Sequence, residues 1–276
     1  MDYEVEYNNR ARVPEHPAIF ERWAHASAAF RGAAVAADLG VPYGPGPRQV
    51  LDIFWPSPDR QAPVALFIHG GYWQSLHPRD FSFAAAGCLA HGVALALAGY
   101  DLAPHVPVAT ILAQTRAAAI TLYRLVGRRI AVSGHSAGGH LAAALTATAW
   151  REIDVDTPDD LIPAGIGLSG VYELEPLIAT QINKALRLDP EEARRLSPAL
   201  WTVPAGRTFE AFVGGAESAE FLRQSRDLAV TWRAQGTLTA HHEVPGANHF
   251  TVVDGLADPS SHMVRRLAEM ARAAAE

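Results

Sequence analysis

Ser136 stands in Gly134-His135-Ser136-Ala137-Gly138, a G-x-S-x-G pattern with Ile130-Ala131-Val132 before it and Leu141-Ala142-Ala143-Ala144-Leu145 after it. A short apolar strand, a serine among small residues and a good helix sequence together mark a sharp strand-to-helix turn. Such a turn lifts the hydroxyl clear of the backbone at the carboxyl end of the strand. A serine hydroxyl is a poor nucleophile at neutral pH. To attack an acyl carbon it needs an adjacent base, and the base needs an acid to orient it.

Candidates for both occur downstream in the order serine, acid, histidine, which is the order this kind of elbow requires. The base is His249, in Pro245-Gly246-Ala247-Asn248-His249-Phe250, directly after the last expected strand. One histidine among 12 means little by itself; its position and order single it out. His241 and His242 fall within the strand and read as structural, and His135 reads as a packing or hydrogen-bonding neighbour of the serine. The acid is Glu217, in Val213-Gly214-Gly215-Ala216-Glu217-Ser218, another small-residue turn just past a strand. Asp254 follows the histidine and fails the order. Glu220 and Asp227 begin or occupy a helix and read as dipole-stabilising or surface residues.

The charge that develops on a reacting carbonyl oxygen must be met by backbone N–H groups. One is that of Ala137, the residue after the nucleophile. His69-Gly70-Gly71-Tyr72-Trp73 follows the apolar run Val64–Ile68 and supplies the others, with Gly71 and Tyr72 as the expected donors. Glycine is needed there because a Cβ would keep the backbone away from the substrate.

These loops need a scaffold, and the rest of the chain reads as one. Pro17–Arg31 predicts an N-terminal helix, followed by a breaker cluster from Pro42 to Pro47. Strands are then expected at Gln49–Phe54, Val64–Ile68, Val93–Ala98, Arg129–Val132, Ala164–Leu168, Thr208–Val213 and Leu238–Val244. Helices are expected at Pro78–His91, Val108–Leu125, after the elbow, at Ala219–Gln235 and at Met263–Ala275. Gln49–Phe54 alternates apolar and polar residues and suits a more exposed strand, while alternating strands and helices with buried apolar strands such as Val64–Ile68 imply an α/β fold: a mostly parallel central sheet with helices on both faces. Sites in such sheets gather beyond the carboxyl ends of the strands. The proline-punctuated segment 172–204 interrupts the alternation and reads as a small cap inserted within a single domain 1–276, the other reading being an ordinary surface excursion.

Composition narrows the partners. The chain has 276 residues, 49% of them hydrophobic, and a net charge of −6, which gives no footprint for nucleic acid or an anionic membrane. The start, Met1-Asp2-Tyr3-Glu4-Val5-Glu6, is acidic and unlike a signal peptide, and the longest apolar run, Val93–Ala98, is too short to cross a bilayer. The lone cysteine, Cys88, reads as a core residue, and a single thiol does not suggest an oxidising compartment. A cytoplasmic protein is expected. There is no metal motif, P-loop or dinucleotide fingerprint. The expected partner is therefore a small-molecule acyl substrate, with no cofactor, and the sequence leaves room for a homodimer.

Three stretches together resemble a known group. His69-Gly70-Gly71-Tyr72-Trp73-Gln74, Tyr100-Asp101-Leu102-Ala103-Pro104 and Gly134-His135-Ser136-Ala137-Gly138-Gly139-His140 are similar to the hormone-sensitive-lipase-like branch of the α/β hydrolases. H-G-G-Y-W in place of H-G-G-G resembles the kynurenine formamidase (arylformamidase) group, as do Glu217–Phe221, Arg223-Gln224-Ser225 and Asn248-His249-Phe250. Tyr7-Asn8-Asn9-Arg10 is similar to the N-terminal segment of bacterial relatives. The acid of that group is often aspartate, where this chain has Glu217. The resemblance implies an α/β-hydrolase fold and a serine hydrolase that cuts an aryl formamide such as N-formyl-L-kynurenine to kynurenine and formate. The alternative is a short-chain carboxylesterase of broad specificity. The resemblance also implies that Gly70, Tyr72 and Trp73 line the substrate pocket, against the plainer reading of Trp73 as packing beneath its loop. A non-catalytic binding protein on this fold would be expected to lack one of the three reacting side chains, and all three are present.

Overall fold

The structure is a computed structural model and describes residues 1–276. Eight strands form one sheet: β1 (Ala36–Pro42), β2 (Val50–Trp55), β3 (Val64–Ile68), β4 (Ala94–Ala98), β5 (Ala131–His135), β6 (Ala164–Leu168), β7 (Thr208–Gly214) and β8 (Leu238–Val244). Their order across the sheet is β1-β2-β4-β3-β5-β6-β7-β8. β1 and β2 run antiparallel to their neighbours and the remaining pairs are parallel.

The apolar strands read from the sequence form the centre. β3, β4, β5 and β6 are buried at every residue. Successive side chains point to opposite faces, so each central strand feeds two cores. Leu66, Ile68 and Val132 join Ile111, Leu141 and Leu228 on one face. Ala65, Phe67 and Ala131 join Trp23, Phe81 and Val264 on the other. Helices Val108–Val126, Ala137–Thr146 and Ala219–Ala234 cover the first face, and His16–Ala33 with His262–Ala275 cover the second. Cys88 is fully buried in the second core, where burial pushes its thiol up to about 12. No helix is long and apolar enough to cross a membrane.

Several elements differ from the sequence expectation. β1 falls partly in the breaker cluster. It is a half-buried edge strand with a register shift between Asp38 and Val41, Gly40 at φ 69° and Pro42 at its end. Edge strands tolerate these residues because only one side is paired. The expected helix Pro78–His91 is a 3-10 stretch, Pro78–Ala84, followed by a short α-helix, Ala85–Ala90. β5 runs on to His135, because Gly134 and His135 pair with Gly167 and Leu168 of β6. Tyr3–Tyr7 and Asn9–Arg12 form two short helices capped by the side chains of Asp2 and Asn8. The segment 172–204 leaves the carboxyl end of β6 as short helical pieces, among them Glu175–Ala179, Asn183–Leu186 and Pro190–Arg195.

Candidate active site

The loops after β3, β5, β6, β7 and β8 meet at one edge of the sheet. Ser136 sits at the end of β5 with φ 56° and ψ −117°, a strained backbone held by its amide donating to the Leu168 carbonyl (2.8 Å). A non-glycine residue in such a conformation costs on the order of 1–3 kcal/mol and persists only where its surroundings enforce it. The glycines around it make the turn sterically feasible. A Cβ on Gly138 would lie 1.9 Å from the Ile68 carbonyl oxygen, and one on Gly134 would lie 2.1 Å from that of Gly138.

Ser136 Oγ lies 3.1 Å from His249 Nε2, and His249 Nδ1 lies 2.7 Å from Glu217 Oε2. All three residues are buried. With its proton on Nδ1 facing the carboxylate, the imidazole offers Nε2 as acceptor to the serine hydroxyl. The arrangement can therefore take a proton from the serine and return it to a leaving group. Glu217 Oε1 accepts from Ser169 Oγ (2.5 Å) and from the Gly214 amide (2.7 Å), so both carboxylate oxygens are engaged. Ser169, at φ 51° just past β6, is a contributor that the sequence reading missed. It lies 48 residues before the acid it contacts, and only β6 lying beside β7 brings the two together.

The histidine loop is braced from several sides. His135 Nε2 donates to the His249 carbonyl (2.7 Å), and Asn248 Oδ1 accepts from the amides of Phe250 and Thr251. The rings of His249 and Phe221 pack at 4.5 Å. Burial, then the neighbouring His249, hold His135 well below the ordinary histidine range, so it is a neutral donor.

The loop after β3 presents its backbone to the serine. Tyr72 and Trp73 have φ values of 50° and 57°, and Gly71 has 104°. A Cβ on Gly71 would lie 2.5 Å from the Ser75 carbonyl oxygen, so glycine is required there. Amides of Gln74 and Ser75 close the turn onto the Gly71 carbonyl, and the Gly71 and Tyr72 amides donate to no protein acceptor. Ala137 is the first residue of its helix, where an N–H has no partner within the helix. Behind the loop His69 stacks on Tyr100 at 4.3 Å, and burial holds its imidazole down at about 3.

Two expected substrate-binding residues do not reach the cavity. Trp73 is fully buried, with its ring edge-on to His140 at 5.1 Å, which is the packing role rather than the lining one. Gly70 sits under the elbow, where a Cβ would lie 2.8 Å from the His135 carbonyl oxygen. Tyr72 does line the cavity. Its hydroxyl donates to the Tyr7 carbonyl (2.6 Å) and accepts from Asn9 Nδ2 (3.2 Å). Glu220 stands in the first turn of the helix Ala219–Ala234, as the dipole-stabilising reading expects, but is buried rather than superficial and accepts from Tyr7 Oη (2.9 Å) and Arg223 (2.7 Å). Asp254 accepts from Trp23 Nε1 (2.9 Å) and Arg22, anchoring the N-terminal helix. Asp227 pairs with Arg223 and Arg226 near the surface.

The serine opens onto a cavity of about 440 Å³, within the range of small-ligand sites. It is lined by Ser136, His135 and His249, by the rings of Phe20, Trp23 and Phe250, by Gln181 and Ile182, and by Glu4, Tyr7, Asn8, Asn9 and Arg10. The N-terminal arm thus contributes more of the lining than segment 172–204, and the sequence reading assigned it no role beyond a resemblance.

A mostly parallel sheet with a serine, a histidine and an acid converging beyond its strand ends is the architecture of an α/β hydrolase. The BD-FAE family model matches residues 51–164. A kynurenine formamidase from Salmo salar is 31% identical over 241 residues, covering 84% of this chain and 81% of its own. Esterase LipC from Mycobacterium tuberculosis is 28% identical, covering 81% of this chain and 62% of its own. A crystal structure of a protein from Silicibacter sp. TM1040, provisionally named a thioesterase, is 30% identical with a TM-score of 0.87, covering 96% of this chain and 98% of its own. The chain belongs to the kynurenine formamidase family and is a hydrolase of the α/β type.

Proposed function

We propose that the protein hydrolyses an aryl formamide, N-formyl-L-kynurenine or a close analogue, through a formyl-enzyme on Ser136. The observation that carries this reading is the hydrogen-bonded series Ser136–His249–Glu217 opening onto a cavity with aromatic side chains, Phe20, Trp23 and Phe250, in its lining.

Ser136 Oγ attacks the formyl carbon while its proton passes to His249 Nε2. The carbonyl oxygen becomes an oxyanion facing the amides of Gly71, Tyr72 and Ala137. A lost donor of this kind typically costs about 3 kcal/mol of transition-state stabilisation. The C–N bond then breaks and His249 returns the proton to the departing arylamine. Water attacks the formyl ester with its proton passing to His249, the ester C–O bond breaks, formate leaves, and Ser136 regains its proton. Glu217 keeps the imidazole in the required tautomer and stabilises the imidazolium. Residues 172–204 act as a partial cap through Gln181 and Ile182. A single buried cysteine suits work in the cytoplasm.

The second reading, a short-chain carboxylesterase, draws on the likeness to Esterase LipC. Measuring kcat/KM for N-formyl-L-kynurenine and for p-nitrophenyl acetate separates the two. The formamidase reading expects the formamide to be clearly preferred. Formamide hydrolysis no faster than background, with the ester turned over, would leave the esterase.

A further inference from the structure

The arm residues Tyr7-Asn8-Asn9-Arg10 are explained by neither the nucleophile, its base and acid, nor the oxyanion donors, yet all four line the cavity. The arm is firmly tied down. Tyr7 Oη donates to Glu220 Oε2 (2.9 Å) and accepts from Gln224 Nε2 (2.5 Å), Glu6 Oε2 accepts from the Glu220 amide (3.0 Å), and Glu4 Oε2 accepts from the Gln181 amide (2.7 Å). A segment so fixed can present side chains in a defined geometry.

Two charged groups on it are left open, and one buried acceptor lacks a partner. Arg10 is exposed, lines the cavity and has no ion-pair or hydrogen-bond partner, whereas Arg12 lies 3.9 Å from Glu6. Glu4 Oε1 has one long contact, accepting from Asn8 Nδ2 at 3.5 Å. Asn9 is 2% exposed and its Oδ1 has no partner, although a buried acceptor left unsatisfied costs stability. A guanidinium suits a carboxylate, and an ammonium group needs acceptors. Arg10 and Glu4 line the same cavity as the catalytic serine and the aromatic rings, and their charges suit the two charges of one zwitterion.

We propose that the arm is a recognition site for the α-amino-acid group of the substrate: Arg10 binds its carboxylate, while Glu4 Oε1 accepts from its ammonium. This rests on the aryl-formamide reading for the identity of the aryl group, but the arm site can be tested without formamide turnover. The site makes this enzyme an amino-acid hydrolase by selection at the arm, not by its reacting groups.

The test uses product-like inhibitors of p-nitrophenyl acetate hydrolysis by the full chain. L-Kynurenine carries both charges; kynuramine keeps the amine and lacks the carboxylate. The wild type is expected to bind L-kynurenine about fivefold more tightly than kynuramine, a gap at the upper end of what an exposed charge pair gives. Arg10→Ala should remove the gap and Arg10→Lys should keep part of it, while Glu4→Gln should weaken both inhibitors alike. The readout is a ratio measured on one preparation, so a general loss of activity cancels. Equal inhibition by the two compounds in the wild type, no inhibition by either, or an Arg10→Ala variant that keeps the gap overturns the proposal. If the gap behaves as expected but N-formyl-L-kynurenine is not hydrolysed, the formamidase reading falls and the amino-acid site stands.

Discussion

The sheet edge and the N-terminal arm line one cavity and are built on different physics. At the edge, parallel strands fix the starting points of five loops, and the reacting groups are almost entirely buried, with every oxygen of Glu217 engaged. The arm has only two short helices, Tyr3–Tyr7 and Asn9–Arg12, that could not persist alone, since helices of a single turn do not nucleate stably in water. It is held by a few long-range hydrogen bonds and leaves charged groups open. The difference teaches that the reacting groups sit on loops fixed by the sheet, while the arm beside them is fixed by hydrogen bonds between residues far apart in the chain, among them those from Tyr72 to the Tyr7 carbonyl and from Asn9 to Tyr72.

The comparison can be broken most directly at Ser136. Ser136→Ala should lower turnover by about 10⁴-fold or more, the scale seen when a nucleophile of this type is lost. L-Kynurenine binding, measured by calorimetry, should survive because the arm is untouched. Loss of binding together with turnover would show that the edge and the arm are not separable.

Acid should attack the edge and spare the arm. Burial holds His69 at about 3 and His140 at about 4 against an ordinary value of 6.5. Below pH 6.5 the unfolded chain takes up protons that the folded chain refuses, so stability falls as pH falls and levels off only near those depressed values. At pH 5 each histidine should remove about 2 kcal/mol of stability. The first 15 residues contain no histidine and contribute nothing to this loss. Thermal unfolding between pH 8 and pH 5 checks it, and His140→Gln should flatten the slope. A profile unchanged by that substitution would mean that His140 is not neutral in the fold.

A smaller effect is expected at Ser169. Ser169→Ala removes one of the two donors to Glu217 Oε1, and the loss of a hydrogen bond to a charged group predicts about a tenfold fall in kcat with KM little changed. The smallest belongs to the arm. Tyr7→Phe removes one donor to Glu220, which retains Arg223, so KM should rise about threefold at nearly constant kcat. If Tyr7→Phe lowered kcat as much as Ser169→Ala does, the division between the edge and the arm would fail.

Most of the edge was legible in the sequence, because its signals are local. An apolar run followed by a small-residue turn marks a strand and the loop after it. β3, β6 and β8 have the bounds their residues predict, and Ser136, Glu217 and His249 lie in such turns. β1 was not legible, since an edge strand containing Gly40 and Pro42 has no continuous apolar run to announce it. The fate of Trp73 was open because an aromatic residue after H-G-G can face either the substrate or the core. The left-handed backbone at Tyr72 and Trp73 and the position of His140 turn it inward.

What the sequence determined by itself is the reaction class: a nucleophile, a base, an acid and two oxyanion segments, each carried by a local strand-to-turn pattern and arranged in the required order. Only the tertiary structure decided which distant residues join the lining of the site. Tyr7 meets Glu220 across 213 residues and Asn9 meets Tyr72 across 63. No local pattern encodes such pairs. They exist because β3 lies beside β5 and the helix following β7 packs at the same edge, so the arm has one place in which its buried polar groups find partners.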